Sequence, residues 1–99
     1  MTKRNGLTND ELSSALATLD EWTVVNNKLY RHFQFNDFVE AFAFMTKLAL
    51  VAEKLEHHPE WTNIYNSVTI SLITHDADAI SQLDLEFAQA CNRYFDNAN

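Results

Sequence analysis

Glu53-Lys54-Leu55-Glu56-His57-His58-Pro59-Glu60-Trp61-Thr62-Asn63-Ile64-Tyr65 contains the one proline of a 99-residue chain, preceded by two adjacent histidines. Proline fixes its own φ at about −65° and keeps the residue before it out of the α region. His58 therefore does not sit inside a helix, and the histidine pair lies at a helix exit. An unperturbed imidazole titrates at about pH 6.5, so two of them at a rigid corner can give and take protons near neutrality.

Upstream of the corner, Asn36 is a suitable N-cap and Asp37 puts negative charge into the first turn of a long helix that runs to about Leu55. Phe38, Phe42, Met45, Ala49 and Ala52 form one apolar face. Val39, Ala43 and Leu50 form a second, together with Phe44, Leu48 and Val51 displaced around the cylinder. A helix apolar on two sides is buried on two sides. In a small domain, a sheet covers one side and a second copy of the chain is the natural cover for the other, a wider intramolecular core being the alternative. Homodimer or homotetramer formation through residues 38–55 is expected, with Phe44 and Leu48 as outward positions.

Downstream of the corner, Trp61 to Tyr65 and Val68 to Thr74, joined at Asn66-Ser67, read as a hairpin with Val68, Ile70 and Leu72 on one face. His75 falls just past its end. Ser81-Gln82-Leu83-Asp84 then starts a last helix with Phe87, Ala88, Cys91, Tyr94 and Phe95 facing inward. Towards the N-terminus, Thr8-Asn9-Asp10-Glu11 is a capping box opening a short helix from Asn9 to about Leu19. Trp22 to Val25 and Leu29 to Phe35 form another hairpin around Asn26-Asn27, residues that tolerate the positive φ of a tight turn. Leu29, Phe33 and Phe35 share its buried face with Arg31, whereas His32 points the other way.

The expected fold is α+β, a four-stranded antiparallel sheet with three helices on one face in the order α-β-β-α-β-β-α, one domain over 1–99. An apolar share of 46% suits a globule, and 14 acidic against 7 basic residues give a net charge of −7. That surface does not suit phosphate backbones, so no direct nucleic-acid contact is expected. Cys91 is alone, which excludes an intrachain disulfide and fits a reducing compartment. No signal-peptide core follows Met1, and the most apolar stretch carries Glu40 and Lys47, so a soluble cytoplasmic protein without membrane contact is expected.

His57, His58 and His75, with Glu53 and Asp84 available, admit three readings: acid-base catalysis on a bound ring, a metal site, or imidazoles that merely decorate a helix end. Adjacent histidines point apart, and no cysteine lies nearby, which argues against metal. A helix dipole accounts for one histidine at its C-terminus but not for both together with Pro59, Trp61 and His75. Asp84 has the spacing of a cap as well as of a site residue, and Trp61 can flank a ring or simply pack.

The central stretch resembles the signature of the pterin-4a-carbinolamine dehydratases: Glu-Lys, then His-His-Pro two residues on, an acidic and an aromatic residue, and Asn63 and Tyr65 at alternate positions. A second family element, Thr-His at a strand end followed by a Ser/Thr-x-x-Asp helix start, recurs as Thr74-His75 and Ser81 to Asp84. The resemblance covers nearly the whole chain. It implies the same α+β fold and removal of water from a 4a-hydroxytetrahydropterin, in tetrahydrobiopterin recycling, with no cofactor and no metal. It also implies catalytic roles for His57, His58, His75 and Asp84, of which His58 and His75 would handle protons and His57 would chiefly position. Glu53, His57, His58, Pro59, Trp61, Thr74, His75, Asp76 and Ala77 would contact the pterin. Some members also serve as dimerisation cofactors of a homeodomain transcription factor, which is the alternative function and would add a transcription-factor partner and a nuclear location. The chain departs from the family at Asp78 and Ala79, where glycine is common.

Overall fold

In a computed structural model, which describes residues 3–97, the proline corner does separate a helix from a strand. Residues 1–2 and 98–99 lie outside the described residues. In chain order the elements are α1 (Asn9–Leu16), β1 (Thr23–Val25), β2 (Lys28–Gln34), α2 (Phe38–Leu55), β3 (Glu60–Ile64), β4 (Ser67–Leu72) and α3 (Gln82–Asn97). The strands form one antiparallel sheet in the order β1-β2-β4-β3.

Asn26 and Asn27 both adopt left-handed backbone, with φ 52° and 63°, so a tight turn closes the first hairpin without glycine. The second hairpin turns at Tyr65-Asn66, one residue earlier than expected. Tyr65 takes φ 51°, and Asn66 Nδ2 donates to the Phe35 carbonyl at 3.0 Å, tying this turn to the end of β2. The central pair β2–β4 sets Leu29 opposite Leu72, Arg31 opposite Ile70 and Phe33 opposite Val68. All six are buried on the face that the helices cover. On the uncovered face stand Tyr30, His32, Thr69 and Ser71, and His32 is exposed as its parity requires.

Arg31 enters the core because its charge is met there. Its Nη1 donates to Asn92 Oδ1 at 2.5 Å and to the Asp20 carbonyl at 3.2 Å, and its guanidinium lies 4.3 Å from the Phe33 ring centre. Burial pulls its pKa below the ordinary arginine value, against the acidic pull of Glu21, Asp96 and Asp20. Next to it, Phe33, Phe35, Phe44 and Phe95 pack with ring centres 4.9–6.3 Å apart, joining β2, α2 and α3.

Three local expectations are corrected. α1 ends at Leu16 and not near Leu19, although Leu19 is still buried in the turn that follows. The cap of α2 is Asp37, whose carboxylate accepts from the Glu40 amide at 2.8 Å, while Asn36 donates its own amide to the Glu40 side chain. The face of α2 towards the core is Ala41, Phe44, Leu48 and Ala52, so Phe44 and Leu48 point inward. Phe38, Val39, Phe42 and Leu50 are the exposed apolar residues of that helix, at 47%, 75%, 56% and 71% of their surface. The sheet has one buried face to offer, and a helix lying on it can bury one stripe only.

Candidate active site

α2 is capped after Leu55 by Glu56, held in left-handed backbone at φ 53°, and the His57 amide closes back onto the Ala52 carbonyl at 3.0 Å. This closure of the last turn reverses the chain and carries His57 beneath the helix end. Arg4 braces it by donating to the Glu56 carbonyl at 2.8 Å. His57 is 6% exposed, and its Nε2 lies 2.5 Å from Oδ1 of the fully buried Asp84. Asp84 occupies the first turn of α3. Its Oδ2 accepts from the Ser81 amide at 2.8 Å and from the Thr74 hydroxyl at 2.9 Å. Asp84 thus caps α3 and touches His57 with the same carboxylate, and the Ser81 amide, the Thr74 hydroxyl and the His57 ring together surround a charge removed from water.

His58 leaves the corner on the opposite side from His57, as adjacent residues do. It is exposed, and its Nε2 meets Glu53 Oε2 at 2.5 Å, one helical turn back. His75 is exposed in the turn after β4, with Nε2 3.5 Å from Glu60 Oε2, and the other Glu60 oxygen takes the Lys28 ammonium at 2.7 Å. That turn is closed by paired backbone bonds between Thr74 and Ala79 (3.0 and 3.3 Å), with Asp78 at φ 50°. Asp78 takes the left-handed position where the family commonly has glycine, so Ala79 is spared it.

Thr74 links the two halves of the site. Its hydroxyl reaches Asp84, and hence His57, while its neighbour is His75. Pro59 is half-buried, and Trp61 is half-buried, packed against the core and also lining the depression beside Glu60. Asp76 is exposed and Ala77 half-buried in the turn. A depression of about 210 Å³ lined by Glu60, Trp61, Thr62, Thr69 and Ser71 adjoins the His75–Glu60 pair. Larger clefts, one beside Arg31 and one between α2 and α3, contain none of these three histidines.

Each histidine therefore meets a different carboxylate, always through Nε2. No group of three or more metal-ligating side chains converges among the described residues. Ser81 and Glu60 are the partners that sequence reasoning passed over as site residues. Ser81 was visible only as a cap, although its hydroxyl also meets Thr74 seven residues back, and Glu60 only as a letter of the signature, because its partners Lys28 and His75 come from distant segments.

A family description, pterin 4 alpha carbinolamine dehydratase, matches residues 5–94. A relative from Prochlorococcus marinus (strain MIT 9313), provisionally named a pterin-4-alpha-carbinolamine dehydratase, is 50% identical over 86 residues, 87% of this chain and 90% of its own. One from Solibacter usitatus (strain Ellin6076), with the same provisional name, is 52% identical over 82 residues, 83% and 86% of the two chains. The crystal structure of a Brucella melitensis protein described as a transcriptional coactivator/pterin dehydratase superposes with a TM-score of 0.90 at 44% identity, covering 92% of this chain and 99% of that one. Matched over most of its length in sequence and in fold, the chain belongs to the pterin 4 alpha carbinolamine dehydratase family.

Proposed function

We propose that this protein removes water from a 4a-hydroxytetrahydropterin, of the tetrahydrobiopterin type, to give the quinonoid dihydropterin. In this elimination the bond between the ring carbon and the departing hydroxyl breaks as that oxygen takes a proton. The adjacent ring nitrogen gives up its proton, and its electrons form the new C=N bond. One proton enters and one leaves, so the reaction needs an acid and a base, but no oxidant. The observation that carries this reading is the grouping of His57, His58 and His75 around one corner, each backed by its own carboxylate. A carboxylate on one ring nitrogen stabilises the imidazolium and orients the ring, leaving the other nitrogen for exchange with a substrate.

His58 and His75, both exposed, are the proton handlers in this reading, and the enclosed His57 orients and assists. Glu53 and Pro59 border the pterin, and the Thr74 to Ala77 backbone meets its polar edge. The test is turnover of freshly generated 4a-hydroxypterin by single His→Ala variants, alongside thermal unfolding. His58→Ala and His75→Ala should each lower kcat by about 10² or more, with the fold retained. His32→Ala, on the uncovered sheet face, should change neither. Normal turnover in both site variants would overturn the mechanism.

A second reading, a coactivator that acts as a dimerisation cofactor, draws support from the exposed ridge Phe38, Val39, Phe42 and Leu50. Such a surface accepts an apolar helix, from a second copy or from another protein. A pull-down returning only self-association would count against the coactivator role. No helix among the described residues is long and apolar enough to cross a membrane, and the proposed setting is the cytoplasm.

A further inference from the structure

We infer that Thr74 and Ser81 are positioning residues whose hydroxyls form a one-way hydrogen-bond chain that sets the tautomer of His57, so that His57 exchanges protons only at Nδ1. The direction of the chain follows from counting protons. The Leu83 amide can only donate, and it reaches Ser81 Oγ at 3.3 Å. The Thr74 hydroxyl donates to Asp84 Oδ2 at 2.9 Å, which uses its single proton. The contact of 2.5 Å between the two hydroxyls must then be Ser81 donating to Thr74. Every hydroxyl proton is committed, and all of them run towards Asp84.

Oδ2 of Asp84 thus receives two donors, the Thr74 hydroxyl and the Ser81 amide, at the N-terminal turn of α3, where negative charge is favoured. The ionised carboxylate can only accept, so the proton between Oδ1 and His57 Nε2, 2.5 Å apart, belongs to the imidazole. Nε2 keeps that proton whether His57 is neutral or charged. The other ring nitrogen, Nδ1, makes no hydrogen bond among the described residues. It is also not sealed from solvent: among the described residues the buried polar side-chain atom that lacks a partner is Arg31 Nε, not His57 Nδ1. The exchanging edge of His57 is therefore Nδ1, presented as an acceptor when the ring is neutral. The two hydroxyls act only through Asp84.

The turnover part of this inference rests on the dehydratase reading; the tautomer part does not. The experiment is long-range ¹H–¹⁵N NMR of ¹⁵N-histidine-labelled protein at a pH where the imidazoles are neutral, with His57 assigned by its loss in His57→Gln. Wild type should show His57 protonated at Nε2 and bare at Nδ1. Thr74→Val, which keeps the shape and removes the hydroxyl, should mix the two tautomers and lower kcat about tenfold with little change in KM. Ser81→Ala should do the same more weakly, and Thr74→Ser should keep the wild-type pattern. A wild-type His57 protonated at Nδ1 would overturn the inference. So would an unchanged tautomer in Thr74→Val or, if that variant does not fold, in Ser81→Ala. A protein with the expected tautomers but no turnover of 4a-hydroxypterin would refute the dehydratase reading and leave the hydrogen-bond chain standing.

Discussion

Cys91 and His57 are both buried, but only the histidine is held against a carboxylate, and this separates an inert side chain from one placed to exchange a proton. Cys91 is fully enclosed by core side chains, and burial pushes its thiol well above the ordinary range, outweighing the opposite pull of Arg31. Its effect on stability has a definite sign. Above about pH 8.5 an unfolded chain loses the thiol proton while the folded chain keeps it, so the unfolded state binds fewer protons and stability falls as pH rises. Denaturant titrations should show an alkaline decline of about 1.4 kcal/mol per pH unit from this group, absent in Cys91→Ala. Iodoacetamide should label wild type only as fast as the core opens. Rapid labelling of native protein at neutral pH would contradict the burial argument.

At the scale of the element, α2 decides more than any other segment. Its eighteen residues are apolar on most sides, so periodicity alone offered several stripes of similar quality. Ala41, Phe44, Leu48 and Ala52 face the sheet and α3, whereas Phe38, Val39, Phe42 and Leu50 occupy the other half of the cylinder. Phe44 touches the Phe33 and Phe35 rings at 4.9 and 5.0 Å. Phe44→Ala should cost about 3–5 kcal/mol, read by denaturant unfolding of protein held in one association state. Phe42→Asp should leave the stability of the subunit within about 0.5 kcal/mol, since an exposed position has little to lose. If the two variants unfolded alike, the assignment of faces would be wrong. The same helix also sets the corner, because the left-handed Glu56 that caps its C-terminus turns His57 inward and leaves His58 outside.

For the whole molecule, the exposed half of α2 predicts association. Light scattering at micromolar concentration should give a dimer or a dimer of dimers, and Phe42→Asp combined with Leu50→Glu should shift it towards monomer; a wild-type monomer would refute assembly through this face. Chelator treatment should leave turnover unchanged, because no group of three or more metal-ligating side chains converges among the described residues. A loss of activity restored by zinc would sink the acid-base proposal. Local chemistry already determined much of this in the sequence. Pro59 fixed the helix exit, Asn26-Asn27 the first hairpin, alternation the buried faces of β2 and β4, and the caps at Thr8 and Ser81 the starts of α1 and α3, because each depends on neighbours a few residues away. The choice of stripe on α2, the Tyr65-Asn66 turn and the carboxylate that each of His57, His58 and His75 faces depended on tertiary structure. Asp84 meets His57 across 27 residues of sequence, and Glu60 meets Lys28 across 32. Such pairings are selected by how the sheet and helices pack, and a one-dimensional pattern carries no record of which acid a given imidazole will face.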